Sequence, residues 1–212
     1  MIVDILLDIF FPRHCLGCGK EGQYICKDCE LYLMEIEPPF PRGEASRAIS
    51  LWEYNGLIKE AIHRIKFNGE YAIVKDLINL SFQSRLSLLL PDLLLETSEI
   101  TFVPMTKKAE KKRGFNQAEI IAKELGRWLN KPVIKLLDKV KETEDQAKLD
   151  RDGRLKNLKD CFQARRGNSN SDLPLLLVDD VYTTGATMQE CGRALKKSGY
   201  KKIICFTLAR TV

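Results

Sequence analysis

The sequence predicts an α/β domain with a mainly parallel sheet flanked by helices, preceded by a small cysteine-rich module. Three observations carry this. Strand-like and helix-like segments alternate from residue 47 onward, as in sheets whose strands are joined by helical crossovers. LLLV (175–178) is a strong apolar strand that runs into a small, hydroxyl-rich turn and then a helix. Four of the seven cysteines fall between residues 15 and 29 as two C-x-x-C pairs.

The elements follow in order. Ile2, Ile5, Leu6 and Ile9 share one face of a short helix. The cysteine pairs come next, and EPPFPRG (37–43) reads as a linker, because proline and glycine interrupt regular structure. The chain thus divides into units 1–43 and 44–212. RAISLWEY (47–54) is a strand, and Leu57, Ile58, Ala61, Ile62 and Ile65 repeat at helical spacing. Residues 71–90 form a further helix ending before Pro91, and ITFV (100–103) is a buried strand before a proline. Phe115, Ala118, Ile121, Ala122, Leu125, Trp128 and Leu129 lie on one helical face, so Trp128, like Trp52, is expected in the core. VIKLL (133–137) is a weaker strand, GNSNSD (167–172) a polar turn, 186–197 a helix and KIICFTLA (202–209) the last strand.

Composition excludes several classes. With 212 residues, 44% hydrophobic and 30% charged, the chain is neither disordered nor fibrous. A net charge of +5 favours anionic ligands but is too small to imply nucleic-acid binding by itself. No apolar run reaches the roughly 18 residues of a membrane span. The segment MIVDILLDIFF carries Asp4 and Asp8 and lacks a basic leader, so a signal peptide is not expected. A cytoplasmic location and reduced thiols follow as expectations.

Cys15, Cys18, Cys26 and Cys29 are candidate metal ligands. A two-residue gap lets both sulfurs of a pair face one ion, and Gly17 and Gly19 suit the tight turns. Two such knuckles complete a tetrahedral site of four thiolates, the usual arrangement of structural Zn2+. All four sulfurs would be consumed as ligands, leaving no open position for catalysis. A module this small cannot bury enough apolar surface, so the metal would supply much of its folding. His14 reads as a neighbour, and Cys161, Cys191 and Cys205 as buried thiols.

LLLVDDVYTTGAT (175–187) is the most informative segment. Asp179 and Asp180 stand at the C-terminal edge of a strand, where ligands bind in open α/β sheets. Thr183, Thr184, Gly185, Ala186 and Thr187 offer backbone N–H groups, hydroxyls and a helix start, which suit a phosphate dianion. The carboxylates repel phosphate but accept hydrogen bonds from sugar hydroxyls. A phosphate cradle beside a diol acceptor fits a ribose 5-phosphate group. Neither G-x-x-x-x-G-K-[ST] nor G-x-G-x-x-G after a strand is present, which removes the P-loop and dinucleotide fingerprints. Lys107, Lys108, Lys111, Lys112 and Arg113 place five cations against Glu110 in seven residues, in a loop after strand 100–103. A pyrophosphate would sit at that strand edge. Residues 139–154 carry many charges of both signs and read as a lid.

Segment 175–187 resembles the phosphoribosyl-pyrophosphate (PRPP) motif of type I phosphoribosyltransferases. The chain as a whole resembles the ComF family, a bacterial branch associated with competence and DNA uptake. CLGCG…CKDC is similar to that family's zinc module, and YNGLIKEAIHRIKFNGE (54–70) to its first helix and Lys-Phe-x-Gly element. VPMTKKAEKKRGFNQAEIIAKEL (103–125) is similar to its Arg-Gly-Phe-Asn-Gln element, and TEDQAKLDRDGRLKN (143–157) to its Thr-x-x-Gln-x-x-Leu element. The resemblance implies that Pro104, Met105, Thr106 and Lys107 form a pyrophosphate loop. It puts Arg113 and Asn116 near the ligand or its lid, Thr143, Gln146 and Arg154 on the lid, and Lys66 and Gly69 at the site. It implies Mg2+ bound with PRPP, and pentosyl transfer to or from a nitrogen acceptor in which Asp179, Asp180 and Arg113 serve the reacting centre. The alternative is a non-catalytic PRPP-binding uptake factor that contacts single-stranded DNA or a helicase partner, although the sequence displays no basic stripe interleaved with aromatic residues.

Overall fold

The computed structural model describes residues 12–36, 40–42, 45–83, 94, 96–142, 158–165 and 172–212. The expected N-terminal helix, the C-terminal part of the 71–90 helix, most of the polar turn and the lid residues Thr143, Gln146 and Arg154 lie outside these.

In chain order the elements are α1 (Lys27–Glu30), β1 (Phe40–Arg42), β2 (Ala45–Glu53), α2 (Gly56–Asn68), α3 (Ala72–Gln83), β3 (Glu99–Phe102), α4 (Lys107–Arg113), α5 (Gln117–Leu129), β4 (Leu137–Lys139), β5 (Phe162–Ala164), β6 (Leu175–Tyr182), α6 (Ala186–Lys197) and β7 (Ile203–Arg210). The main sheet has the order β1-β2-β7-β6-β3. β2, β7, β6 and β3 are mutually parallel, and β1 is an antiparallel edge. Residues 40–42 of the expected 37–43 linker therefore form a strand, which pairs antiparallel with β2, Phe40 opposite Ala48 and Arg42 opposite Ala45.

Strand residues alternate between faces, and here both faces are covered. Leu176 and Val178 of β6 and Ile204 and Phe206 of β7 pack with Ile58, Ile62 and Ile65 of α2, Leu77 of α3 and Ile121 and Leu125 of α5. Leu175, Leu177, Ile203 and Cys205 face the other way, toward Met188, Cys191 and Leu195 of α6 and the β4–β5 hairpin. Between β2 and β7 the register partners Ser50 and Thr207 satisfy each other through a 2.7 Å hydroxyl–hydroxyl bond, as buried polar groups require.

Three expectations change. The basic run 107–113 is a short helix, not a loop, because Thr106 caps it by accepting a 3.2 Å bond from Ala109 N. The weak strand 133–137 lies beside β3, where Ile134 N donates to Ile100 O at 2.8 Å, but the regular strand begins only at Leu137 and turns away to pair with β5. Trp128 is 47% exposed. Its ring stacks on Phe82 with centroids 4.4 Å apart, and its indole N–H donates to Asn79 Oδ1 at 2.9 Å. It sits at the margin of the apolar face of α5, where a partly polar ring can satisfy its N–H.

Gly126 marks the tightest packing of α5 against the sheet edge: a Cβ there would lie 2.6 Å from Val133 Cγ2 and 3.0 Å from the Lys131 carbonyl oxygen. Alanine ordinarily stabilises a helix interior by about 1 kcal/mol over glycine, but overpacking against backbone costs about 1–3 kcal/mol. Gly126→Ala is expected to lower stability despite the propensity gain, read as a reduced urea midpoint at unchanged m-value.

Candidate functional site

The C-terminal ends of β3 and β6 open onto a cleft of about 320 Å3. Its walls bring together Asp179, Asp180, Thr183 and Thr187 from β6 and the following turn, Pro104, Met105 and Thr106 from the turn after β3, and Lys66 from the last turn of α2. Lys66 and Thr187 stand at opposite ends of this span of chain, and the two turns meet because β3 and β6 are parallel neighbours.

The two acids divide between the faces of β6. Asp180 is buried and meets Lys66 Nζ at 2.8 Å. Burial opposes the charge on Lys66, but the Asp180 and Asp179 carboxylates outweigh it and hold its pKa above the ordinary lysine value. Asp179 lies on the α6 side, and its Oδ1 accepts a 2.9 Å bond from Asp180 N. Burial, reinforced by the neighbouring Asp180 charge, pushes its carboxyl up to about 7. Asp179 has no cation so close to it, so burial and the adjacent carboxylate both disfavour its charged form.

The turn after β6 is built for close approach. Gly185 takes the left-handed conformation with φ +80°, and a Cβ there would collide with the ring and hydroxyl of Tyr182, so two constraints independently require glycine. Thr184 Oγ1 lies 3.4 Å from Ala186 N at the start of α6. Across the cleft, Thr106 is engaged as the cap of α4. Lys107 faces an adjoining groove with Lys135, Lys139, Lys141 and Arg165, not the cleft itself.

Arg113 and Asn116 are not in the cleft. Asn116 is buried and engaged inside the fold: its Oδ1 accepts from Ala118 N at 3.0 Å, and its Nδ2 donates to Val103 O at 3.0 Å. Arg113 lines a second cavity next to the cleft, with Gly69 and Phe67. Lys139 and Gln117 of the cleft wall were not singled out from sequence. Lys139 lies in the stretch expected as lid, but it pairs with Phe162 in the β4–β5 hairpin, with its ammonium 5.8 Å from the Phe162 ring centroid. Burial lowers its pKa. Its position after an apolar pair, Leu136-Leu137, was the one sequence signal available.

The N-terminal cysteines form a second site. The sulfurs of Cys15, Cys18, Cys26 and Cys29 all lie within 4.8 Å of one another, and those of Cys18 and Cys26 are 3.6 Å apart. A tetrahedron with metal–sulfur bonds of about 2.3 Å has edges of about 3.8 Å, so the four can hold a metal ion such as zinc. Burial of Cys15 is outweighed by backbone N–H donors from Cys26, Cys18 and Gly17, which lower its thiol to about 6. Burial and the neighbouring sulfurs push Cys29 up to about 12. A cation would stabilise all four thiolates together. By contrast Cys161, Cys191 and Cys205 are buried and raised by that burial, as expected of inert core thiols.

Comparison with known proteins agrees with this geometry. The Phosphoribosyl transferase domain family matches residues 101–211, which include the turns after β3 and β6 that line the cleft but not Lys66. Competence protein ComFC of Bacillus subtilis is 32% identical over 200 residues, spanning 93% of this chain and 78% of the relative. This chain belongs to the ComF family. Competence protein F of Haemophilus influenzae is 31% identical over 204 residues, spanning 94% of the chain and 85% of the relative. DNA utilization protein YhgH of Escherichia coli is 27% identical over 210 residues, with 93% and 84% covered. Among the described residues of this ComF chain, no helix is long and apolar enough to cross a membrane.

The raised Asp179 carboxyl has a signed consequence. Its pKa rises on folding from the ordinary 3.8 to about 7, so the native state holds a proton that the unfolded chain releases. Stability of the ligand-free protein should fall as pH rises through that window and stay low above it. Asp179→Asn should remove this slope and exceed wild type above pH 7 by at least about 1.4 kcal/mol, the equivalent of a tenfold change in proton affinity. Denaturant titrations across the pH range check this.

Proposed function

We propose that the chain binds PRPP together with Mg2+ and transfers its phosphoribosyl group to a nitrogen acceptor. The observation that carries this reading is the convergence of Asp179, Asp180, Thr183, Thr187 and the Pro104–Thr106 turn on one cleft, inside the span matched by the phosphoribosyl transferase family. The 183–187 turn, at the start of α6, would take the 5-phosphate on its N–H groups and hydroxyls. Asp179 and Asp180 would accept hydrogen bonds from the ribose hydroxyls. The turn at Pro104–Thr106, flanked by Lys107 and Lys139, would face the pyrophosphate. Mg2+, held largely by the ligand's own oxygens and water, supplies neutralisation of pyrophosphate charge when bound.

The chemistry asked of the protein is positioning and electrostatics. Bond cleavage at the ribose C1 carbon leaves positive charge on the sugar, which the paired acids would stabilise. Lys66 keeps that pair from carrying two uncompensated charges before ligand arrives. Thr143, Gln146 and Arg154 would close over the centre and exclude water. The four cysteines would hold a structural Zn2+.

A second reading is a PRPP-binding factor without turnover, acting on DNA. The names of the relatives, competence and DNA utilization proteins, support that setting. The exposed rings of Phe67 and Tyr71, close to the basic α4, also favour it: this is an aromatic and basic patch that the sequence disperses over residues 67–113.

Mg2+–PRPP is expected to raise the melting temperature by ligand linkage, and the double variant Asp179→Asn/Asp180→Asn to abolish the shift. An unchanged wild-type melting point sinks both readings. Steady pyrophosphate release with one acceptor selects the enzyme, and salt-sensitive DNA binding without release selects the factor. For the cysteine site, elemental analysis should find one zinc per chain. Because Cys15, Cys26 and Cys29 share a hydrophobic cluster with α2 and α3, chelation should lower the main unfolding transition and not add a separate one.

A further inference from the structure

A second cavity, of about 470 Å3, adjoins the cleft, within the usual range for small-molecule sites of about 300–1,000 Å3. The two share Lys66, Met105 and Ala109 as a common wall. Anything seated in the second cavity therefore abuts whatever occupies the first.

Its lining is specific in shape and charge. α2 ends at Gly69, whose φ of +71° stops the helix. Just before that stop, Lys66 reaches toward Asp180 at 2.8 Å, while Phe67 stays 66% exposed. Phe115 closes another side, set edge-on to Tyr71 with centroids 5.6 Å apart. The Arg113 guanidinium lies 5.7 Å from the Phe67 ring centroid and is steadied by Gln117 Oε1 at 2.6 Å. The lining includes three cations, Lys66, Lys112 and Arg113, and no acid. Lys66 is neutralised by Asp180, so Lys112 and Arg113 give the cavity its net positive character.

We infer that this cavity seats the acceptor, and that the acceptor is a flat aromatic nitrogen compound carrying a carboxylate. The inference rests on the PRPP reading and names its second substrate. An apolar ring packs against Phe67 and Phe115, and its carboxylate pairs with Arg113, whose planar fork suits that geometry. Aliphatic ammonium compounds are disfavoured by like charge. In the transfer the acceptor nitrogen forms a bond to the ribose C1 carbon. The C1–oxygen bond breaks with its electron pair leaving on pyrophosphate, and the proton of an N–H acceptor passes to solvent water.

The test is calorimetry on the full chain with aminobenzoates and pyridinecarboxylates, each paired with its neutral amide, in parallel with the Mg2+–PRPP melting shift. At least one acid should bind about tenfold more tightly than its amide. Arg113→Met should erase that preference, Arg113→Lys should restore only part of it, and Phe67→Ala should weaken acid and amide alike. Phe67 is exposed, so its variant keeps the core, and ligand-free melting points check that all variants fold. A normal PRPP shift with no binding from the panel, or with acids and amides bound equally, overturns this inference alone. Absence of a PRPP shift overturns the underlying reading and the inference with it. Binding of an oligo-dT strand that depends on Phe67 and Arg113, with no acid bound, overturns it in favour of a polynucleotide surface.

Discussion

The 2.8 Å contact between Lys66 and Asp180 is the constraint on which the site depends. Two adjacent carboxylates on a buried strand end repel each other and resist desolvation. One ammonium, brought from α2 across the sheet face, relieves one of them. It also ties the last turn of α2 to the end of β6, next to the turn at Phe67–Gly69 where Gly69 stops the helix. Asp179 lacks so close a cation, and its burial, with the neighbouring Asp180 charge added, raises its carboxyl.

The sheet explains why those groups can meet. β6 lies between β3 and β7 with apolar side chains on both faces, and a strand covered on both sides offers its polar chemistry only at its ends. The parallel arrangement brings the ends of β3 and β6 to the same edge. The cysteine knuckle uses the same core. Gly17 admits Leu57 of α2 at close range, since a Cβ there would lie 3.2 Å from its Cδ2, and Asp76 of α3 accepts from Arg13 at 3.2 Å and Tyr24 N at 3.3 Å. A segment too small to bury its own apolar surface thus leans on the larger unit as well as on any metal.

Periodicity and local chemistry made much of this legible. The strand before the diacid, the helix at 186–197 and the amphipathic faces of α2 and α5 could be read because burial selects residue types at fixed spacing. The cysteine quartet could be read because ligation fixes both residue type and gap. Other features could not. Thr106 caps α4 through one bond, and the concentration of charge in 107–113 masks the helix signals there, which are good helix formers between a capping threonine and Gly114. Trp128 fits the apolar stripe by spacing, yet its side chain finds Phe82 and Asn79 at the surface. β5 has three residues, too few for a pattern.

By itself, then, the sequence determined the α/β class, the quartet of cysteines that could hold a metal and the diacid with its hydroxyl-rich turn, since each is a local pattern. The tertiary structure alone decided that Lys66 would neutralise Asp180, that Lys139 would enter the cleft, that Asn116 would brace the fold, and that Arg113 would face a neighbouring aromatic cavity. Those assignments depend on side chains from separate elements meeting across the sheet edge. Pairings of that kind are set by strand order and helix docking, which no single segment encodes.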